Sequence, residues 1–185
     1  MRKLIFGINL TIDGCCDHTK MNGSVEIHEY FTSLMRGVDL LVYGRKTYEL
    51  MVPFWPDVAK NNSGDTKSMN EFAHTFNAID KVVFSRSLPD AEEKNTRIVR
   101  TDLQDEILKL KQAPGGIIST GGVALPSQLM ELGLIDEYYI VVHPVVAGEG
   151  RRLFDGAILP QCVQLKLAAS NTLTSGCVAL HYLKE

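Results

Sequence analysis

Three short segments hold the residues best suited to gripping a polyphosphate: Gly44-Arg45-Lys46-Thr47, Ser85-Arg86-Ser87 and Thr120-Gly121-Gly122-Val123. Fixed cations neutralise phosphate charge, hydroxyls donate hydrogen bonds to its oxygens, and glycines let the backbone approach it. Neither G-x-x-x-x-G-K-[ST] nor G-x-G-x-x-G occurs in the sequence, so no P-loop or dinucleotide fingerprint carries this chemistry. Each segment alone has a plain alternative. Arg45 and Lys46 suit a solvated helix start, Arg86 suits a surface charge, and Gly121 with Gly122 suits tight helix–strand packing. Their joint placement points to one dinucleotide, because each follows an apolar stretch that reads as a strand, and ligands of open parallel sheets bind beyond the strands' carboxyl ends.

The elements that position these segments follow from periodicity. Leu4 to Ile12 is an almost continuous apolar run, expected for a strand buried on both faces. Its position behind Met1-Arg2-Lys3 imitates a leader peptide, but Asn9 and Asp13 interrupt it and no small-residue cleavage pattern follows. Ser24 caps a helix whose stripe is Ile27, Tyr30, Phe31, Leu34 and Met35, stopped by Gly37. Leu40 to Tyr43 is a strand that turns through Gly44 into a second helix reaching Met51, which Pro53 and Pro56 end. Asp57 to Lys67 has the composition of an exposed loop.

Met69, Phe72, Ala73 and Phe76 recur at helical spacing before the strand Lys81 to Phe84, and Thr96 to Val99 is a weaker strand. Asp102 caps a helix bearing Leu103, Ile107 and Leu110, and Ile117 to Ser119 is a strand. Gly121-Gly122 opens a helix with Leu125, Leu129 and Leu132 that Gly133 closes. Tyr138 to Val142, Val163 to Ala168 and Val178 to Leu183 follow with no helix between them and a Thr174-Ser175-Gly176 turn between the last two. The expectation is an α/β fold: a mixed, mostly parallel central sheet with helices on both faces and a C-terminal antiparallel hairpin.

Composition narrows the function classes. At 185 residues the chain reads as a single domain spanning 1–185. Apolar content of 45% and charged content of 22% are those of a globular protein rather than a disordered or membrane-spanning one. A net charge of −3, from 19 basic and 22 acidic residues, argues against nucleic acid and acidic membranes as partners. Cys15, Cys16, Cys162 and Cys177 show neither metal spacing nor a C-x-x-C pair, so they read as reduced thiols of a cytoplasmic protein with no metal site.

Several of these segments taken together resemble a known family. Leu10-Thr11-Ile12-Asp13-Gly14, Gly44-Arg45-Lys46-Thr47-Tyr48-Glu49, Val83 to Leu88, Gly121-Gly122, Gly133 to Glu137 and Pro144 to Gly150 are similar, in this order, to the dihydrofolate-reductase-like family. Within it the likeness is to the reductase domain of the riboflavin-biosynthesis deaminase-reductase (RibD C-terminal type). The resemblance implies an NADPH-dependent oxidoreductase acting on a small heterocyclic substrate, such as 5-amino-6-(5-phosphoribosylamino)uracil, and a homodimer. It implies that Arg45, Lys46 and Thr47 meet cofactor phosphates, and that Ser85 and Arg86 bind the adenosine 2′-phosphate. Thr120, Gly121, Gly122 and Val123 would take the pyrophosphate side, and Asp13 would lie near nicotinamide and substrate.

Two departures leave the substrate open. Dihydrofolate reductases carry a carboxylate on the first helix, whereas here that position falls on Ile27 or His28; Glu26 and Glu29 flank it, and His28 is a candidate proton donor. The H-x-E and P-C-x-x-C pair of a zinc deaminase is absent from the sequence. The alternatives are therefore a reductase of a different pterin or carbonyl compound, or a non-catalytic NADPH-binding dimeric sensor. Trp55 either covers a bound ring or plugs its own loop. Arg151 and Arg152 either bind a substrate phosphate or are solvated, and Cys15 and Cys16 either sense oxidation or are inert. Tyr138-Tyr139 and the terminal hairpin are candidate dimer-interface material.

Overall fold

Along the chain the computed structural model, which describes residues 1–91, 93–159 and 162–185, forms β1 (Leu4–Thr11), a 3₁₀ turn (His18–Lys20), α1 (Val25–Met35), β2 (Val38–Gly44) and α2 (Arg45–Met51). There follow α3 (Phe54–Asn61), α4 (Lys67–Ala78), β3 (Asp80–Phe84), β4 (Thr96–Val99), α5 (Leu103–Gln112) and β5 (Ile117–Thr120). The last elements are α6 (Ala124–Glu131), β6 (Glu137–His143), β7 (Leu165–Thr172) and β8 (Val178–Lys184). The fold is α/β, with mostly parallel strands and an antiparallel C-terminal hairpin, as expected. Among the described residues no helix is long and apolar enough to cross a membrane. The chain divides into two units, residues 1–2 with 23–119, and residues 3–22 with 120–185.

The first unit is ordered β4-β3-β2-β5. β2 pairs parallel with β3, and β3 parallel with β4. Leu41, Val42 and Val83 are fully buried, which explains the unbroken apolar runs: a strand covered on both faces has no solvated side to alternate with. Side-chain caps start α1 and α5 where the sequence placed them, and α4 has one the sequence reading did not name. Ser24 Oγ accepts from Ile27 N in α1, and Asp102 Oδ1 accepts from Asp105 N in α5; Thr66 Oγ1 does the same for Met69 N in α4.

One segment differs from the sequence expectation. Much of Asp57 to Lys67 is helix rather than loop, because Pro53 occupies the N-cap of α3 and Pro56 its first turn, where a missing N–H costs nothing. Val58 and Ala59 of α3 are buried against Ala73 of α4, with Trp55 and Met69 packed alongside. Asn62, in the left-handed region at φ 48°, ends the helix.

Phe76 anchors this unit. It stacks on Tyr43 and Phe72 at ring-centroid distances of 6.4 and 6.3 Å, and the Lys81 ammonium sits 4.9 Å above its ring. Lys81 donates to the carbonyl oxygens of Ile79 (2.7 Å) and Asn77 (3.4 Å) at the end of α4, and burial pushes its pKa down to about 8.

The second unit is ordered β1-β6-β8-β7. β1 and β6 are parallel, while β8 runs antiparallel to both β6 and β7. Leu4, Ile5, Phe6, Leu129, Ile135 and Tyr138 are its most deeply buried large side chains. Gly133, at φ 66°, closes α6 with two bonds, Gly133 N to Met130 O and Leu134 N to Leu129 O. β7 lies further along the chain than the apolar run Val163 to Ala168 suggested. It is exposed from Lys166 onward and bulged between Leu167 and Ala169, so its pairing with β8, not its hydrophobicity, defines it.

Phe76 has no exposed surface, and Phe76→Ala is expected to lower stability by about 3–5 kcal/mol in urea unfolding. A loss below about 1 kcal/mol would show that the α4 contact is not core.

Candidate functional site

The register of the first unit brings three strand ends to one edge. Gly44 is the Cα partner of Phe84, and Phe84 of Val99. The residues that follow them, Arg45-Lys46-Thr47, Ser85-Arg86-Ser87 and Arg100, therefore share that edge. Gly44 is the N-cap of α2 and makes no side-chain cap bond. Arg45 pairs with Glu49 at 3.4 Å along the helix. Lys46 and Arg86 are exposed, and neither forms an ion pair among the described residues.

The Ser85 loop is shaped before any ligand arrives. Ser85 N donates to Val99 O, and Ser85 Oγ accepts from Ser87 N (3.2 Å) and Leu88 N (3.0 Å). Arg100 fastens the loop from β4, donating to Leu88 O (2.7 Å) and Asp90 Oδ1 (3.0 Å). The Ser85 oxygen is thus occupied as an acceptor while its hydroxyl hydrogen remains free to donate beside Arg86.

In the second unit, buried Thr120 ends β5 and leads into Gly121, Gly122 and Val123 ahead of α6. Gly122 has φ 82°, a conformation that side chains rarely adopt. Asp13 lies in the loop after β1 and its carboxylate accepts three hydrogen bonds. It accepts from Thr11 Oγ1 (2.5 Å), Ala147 N (3.0 Å) and Gly148 N (3.0 Å), with Arg152 Nη2 3.7 Å away. Arg152 also donates to the Asp13 carbonyl, and Cys15 bridges to Arg152. The Thr11 hydroxyl, then the Ala147 amide, hold the Asp13 carboxyl down at about 2, so it is ionised at neutral pH. Gly150 closes the same loop: a β-carbon there would lie 2.7 Å from Cys15 Sγ. Burial raises the neighbouring Cys16 thiol to about 11, which keeps it protonated.

The α1 candidates sit in the first unit. Glu26 is half-buried in the first turn and Glu29 is exposed. His28 packs into an aromatic cluster that the sequence did not reveal: its ring centre is 6.0 Å from Trp55 and 5.9 Å from Phe72, and Trp55 lies 4.5 Å from Phe72. Burial lowers the His28 pKa below 6.5. Positions 28, 55 and 72 belong to three helices, so no periodicity within one segment links them. The structure thus brings Arg45, Lys46, Thr47, Ser85 and Arg86 together at one edge of the first unit, and Asp13 belongs to the second unit.

The RibD C-terminal domain model matches residues 2–179. The chain belongs to the RibD C-terminal domain family. It is 32% identical over 188 residues to YyaP of Bacillus subtilis, an uncharacterized protein, covering 98% of this chain and 94% of that one. Among solved structures it is similar to a Shewanella sp. PV-4 protein provisionally named for riboflavin biosynthesis, with TM-score 0.75, 20% identity, and coverage of 100% and 99% of the two chains. It is also similar to Enterococcus faecalis dihydrofolate reductase complexed with NADP(H) and RAB-propyl, with TM-score 0.63, 16% identity, and coverage of 99% and 96%. The RibD C-terminal family supports an oxidoreductase, and the fold is dihydrofolate-reductase-like.

Because the folded Asp13 value, about 2, lies below its ordinary 3.8, the loop anchoring is complete above about pH 4 and is lost as pH falls through about 2. Asp13→Asn is expected to speed amide hydrogen exchange at Ala147 and Gly148 at neutral pH while leaving β6 protected. Unchanged exchange at those two amides would remove Asp13 from the anchoring role.

Proposed function

We propose that this protein is a cytoplasmic NADPH-dependent reductase of a small planar heterocycle, of the kind exemplified by 5-amino-6-(5-phosphoribosylamino)uracil reduction in riboflavin biosynthesis. The observation that carries this reading is the edge of the first unit, where among the described residues Lys46 and Arg86 have no carboxylate partner and the Ser85 hydroxyl hydrogen has no acceptor. A 2′-phosphate is a dianion that suits a guanidinium with an adjacent hydroxyl, whereas the corresponding hydroxyl of NADH offers no charge to match. Arg45, Lys46 and Thr47 serve the other phosphates, and Thr120 to Val123 the pyrophosphate, with Gly122 giving close backbone approach.

The nicotinamide supplies the hydride, so the chain has only to hold the acceptor in line and deliver a proton. Asp13, held ionised, orders its loop rather than donating that proton. His28, with its pKa pushed down, carries no acidic proton at neutral pH. The Glu26 carboxyl or water is left to fill the part.

We infer further that the working form is a homodimer joined through β7. This strand ends the order of the second unit, is exposed from Lys166 to Thr172, and presents Leu167 at 51% exposure. A long open edge of this kind invites pairing with another strand. Tyr138, a candidate for the interface from sequence, faces the core against Phe6 instead.

Arg86→Ala is expected to weaken NADPH by about 1.5–3 kcal/mol, tenfold or more, and to leave NADH nearly unchanged in calorimetric titrations. Equal losses for both cofactors would detach Arg86 from the 2′-phosphate. In sedimentation, the wild-type protein is expected to run as a dimer and Leu167→Glu as a monomer; a monomeric wild type rejects the β7 interface.

A further inference from the structure

The second unit holds a cavity of about 270 Å³, lined by Met130 of α6, Tyr138 of β6, Leu165 of β7 and, from the connection between β6 and β7, Phe154, Ala157 and Val163. No lining residue carries a charge, and Tyr138 Oη is the only oxygen or nitrogen that the lining side chains bring. The walls are fastened by the fold itself. Ile158 N donates to Glu131 Oε1 of α6 (2.8 Å), Leu153 N to Gly14 O (3.0 Å) and Ala157 N to Phe154 O (2.9 Å). Phe154 is held at φ 57°, a conformation that bulky side chains avoid, with its ring 5.8 Å from that of Phe6.

Tyr138 is only 2% exposed, and its ring meets Phe6 edge-on at 6.2 Å. Its hydroxyl makes no hydrogen bond among the described residues. His28 Nδ1, Thr32 Oγ1 and Thr96 Oγ1 are unbonded atoms sealed in packing; Tyr138 Oη is not one of them, and it keeps a little free surface where the side chain lines the cavity. Burial, and then the charge of Asp136, pushes its pKa up to about 12, so the group is a neutral donor at physiological pH. A bound water needs two to four polar partners, and these walls offer one hydroxyl, so water does not satisfy it.

The structure assigns this cavity to a second ligand: a neutral molecule of one or two rings that sets an oxygen against Tyr138 Oη and buries its apolar body among Met130, Phe154 and Leu165. Cavities of about 150 Å³ with apolar walls take up benzene, and the larger volume here leaves room for a substituted or fused ring. An anion does not fit, because no lining residue is cationic and the Asp136 charge already acts on Tyr138. None of these residues belongs to the cofactor-binding segments, so the site stands or falls apart from the reductase reading.

The probes are p-cresol and toluene, which share a ring and differ in one hydroxyl, titrated into the full chain by calorimetry and by NMR of the methyl groups of Met130, Val163 and Leu165. Saturable binding of p-cresol that shifts those methyls is expected in the wild type. Tyr138→Phe should weaken p-cresol about three- to tenfold and leave toluene unchanged. An unchanged p-cresol affinity, or equal losses for both probes, rejects the hydroxyl contact and the ligand class with it. Shifts confined to other methyls put the probe elsewhere and overturn the site. So does the absence of saturable binding at millimolar p-cresol; if Val163→Glu then turns a dimer into a monomer in sedimentation, the cavity is a contact between two copies of the chain instead. The wild-type methyl shifts decide the site even if Tyr138→Phe fails to fold.

Discussion

The parallel register that aligns Gly44, Phe84 and Val99 turns residues scattered over more than fifty positions into one edge. Pairs such as Val42 with Val82 and Val83 with Ile98 sit inside that register, and most of these side chains are buried. A slip of one residue would move each strand's side chains to the opposite face and also stagger the three ends. The apolar strands thus fix both the core and the spacing of Lys46, Ser85 and Arg86. Phe76 and the α4 contact stabilise the same strands from one side, so packing far from the edge sets its geometry.

Charge is handled in opposite ways in the two units. At the edge of the first, Arg45 has Glu49 and Arg100 has Asp90, while Lys46 and Arg86 form no ion pair among the described residues. Exposed like charges cost little in water because solvent and salt screen them over about 8 Å, so holding them open for a phosphate is cheap. In the second unit Asp13 has a hydroxyl, two amides and a guanidinium around it. An acidic residue in a loop next to a resemblance motif invites a catalytic role; its bonds here describe a clasp between the loops after β1 and β6.

What the sequence discloses and what it conceals follows from the range of the interactions involved. Caps at Ser24 and Asp102, the closing Gly133 and the buried strands are local: a few consecutive residues determine them, and they lie where expected. The cation segments were legible because strand ends can be located from apolar runs. α3 was not, since its prolines resemble a terminator unless the next turn is known to pack on α4. β7 was displaced because its exposed Ala168 to Thr172 carries no alternation, and only pairing with β8 reveals it. The His28 cluster was hidden for the same reason in three dimensions: three helices contribute one ring each.

Burial lowers the pKa of both Lys81 and His28, and the two differ in what the fold sets around them. The Lys81 ammonium has the Ile79 and Asn77 carbonyls and the face of Phe76, so its desolvation is offset where it stands, and its position is explained by capping α4. His28 has aromatic neighbours, and its buried Nδ1 makes no hydrogen bond among the described residues. Thr32 Oγ1 and Thr96 Oγ1 are likewise buried without a hydrogen bond among the described residues, so the first unit leaves three polar atoms unsatisfied where Lys81 leaves none.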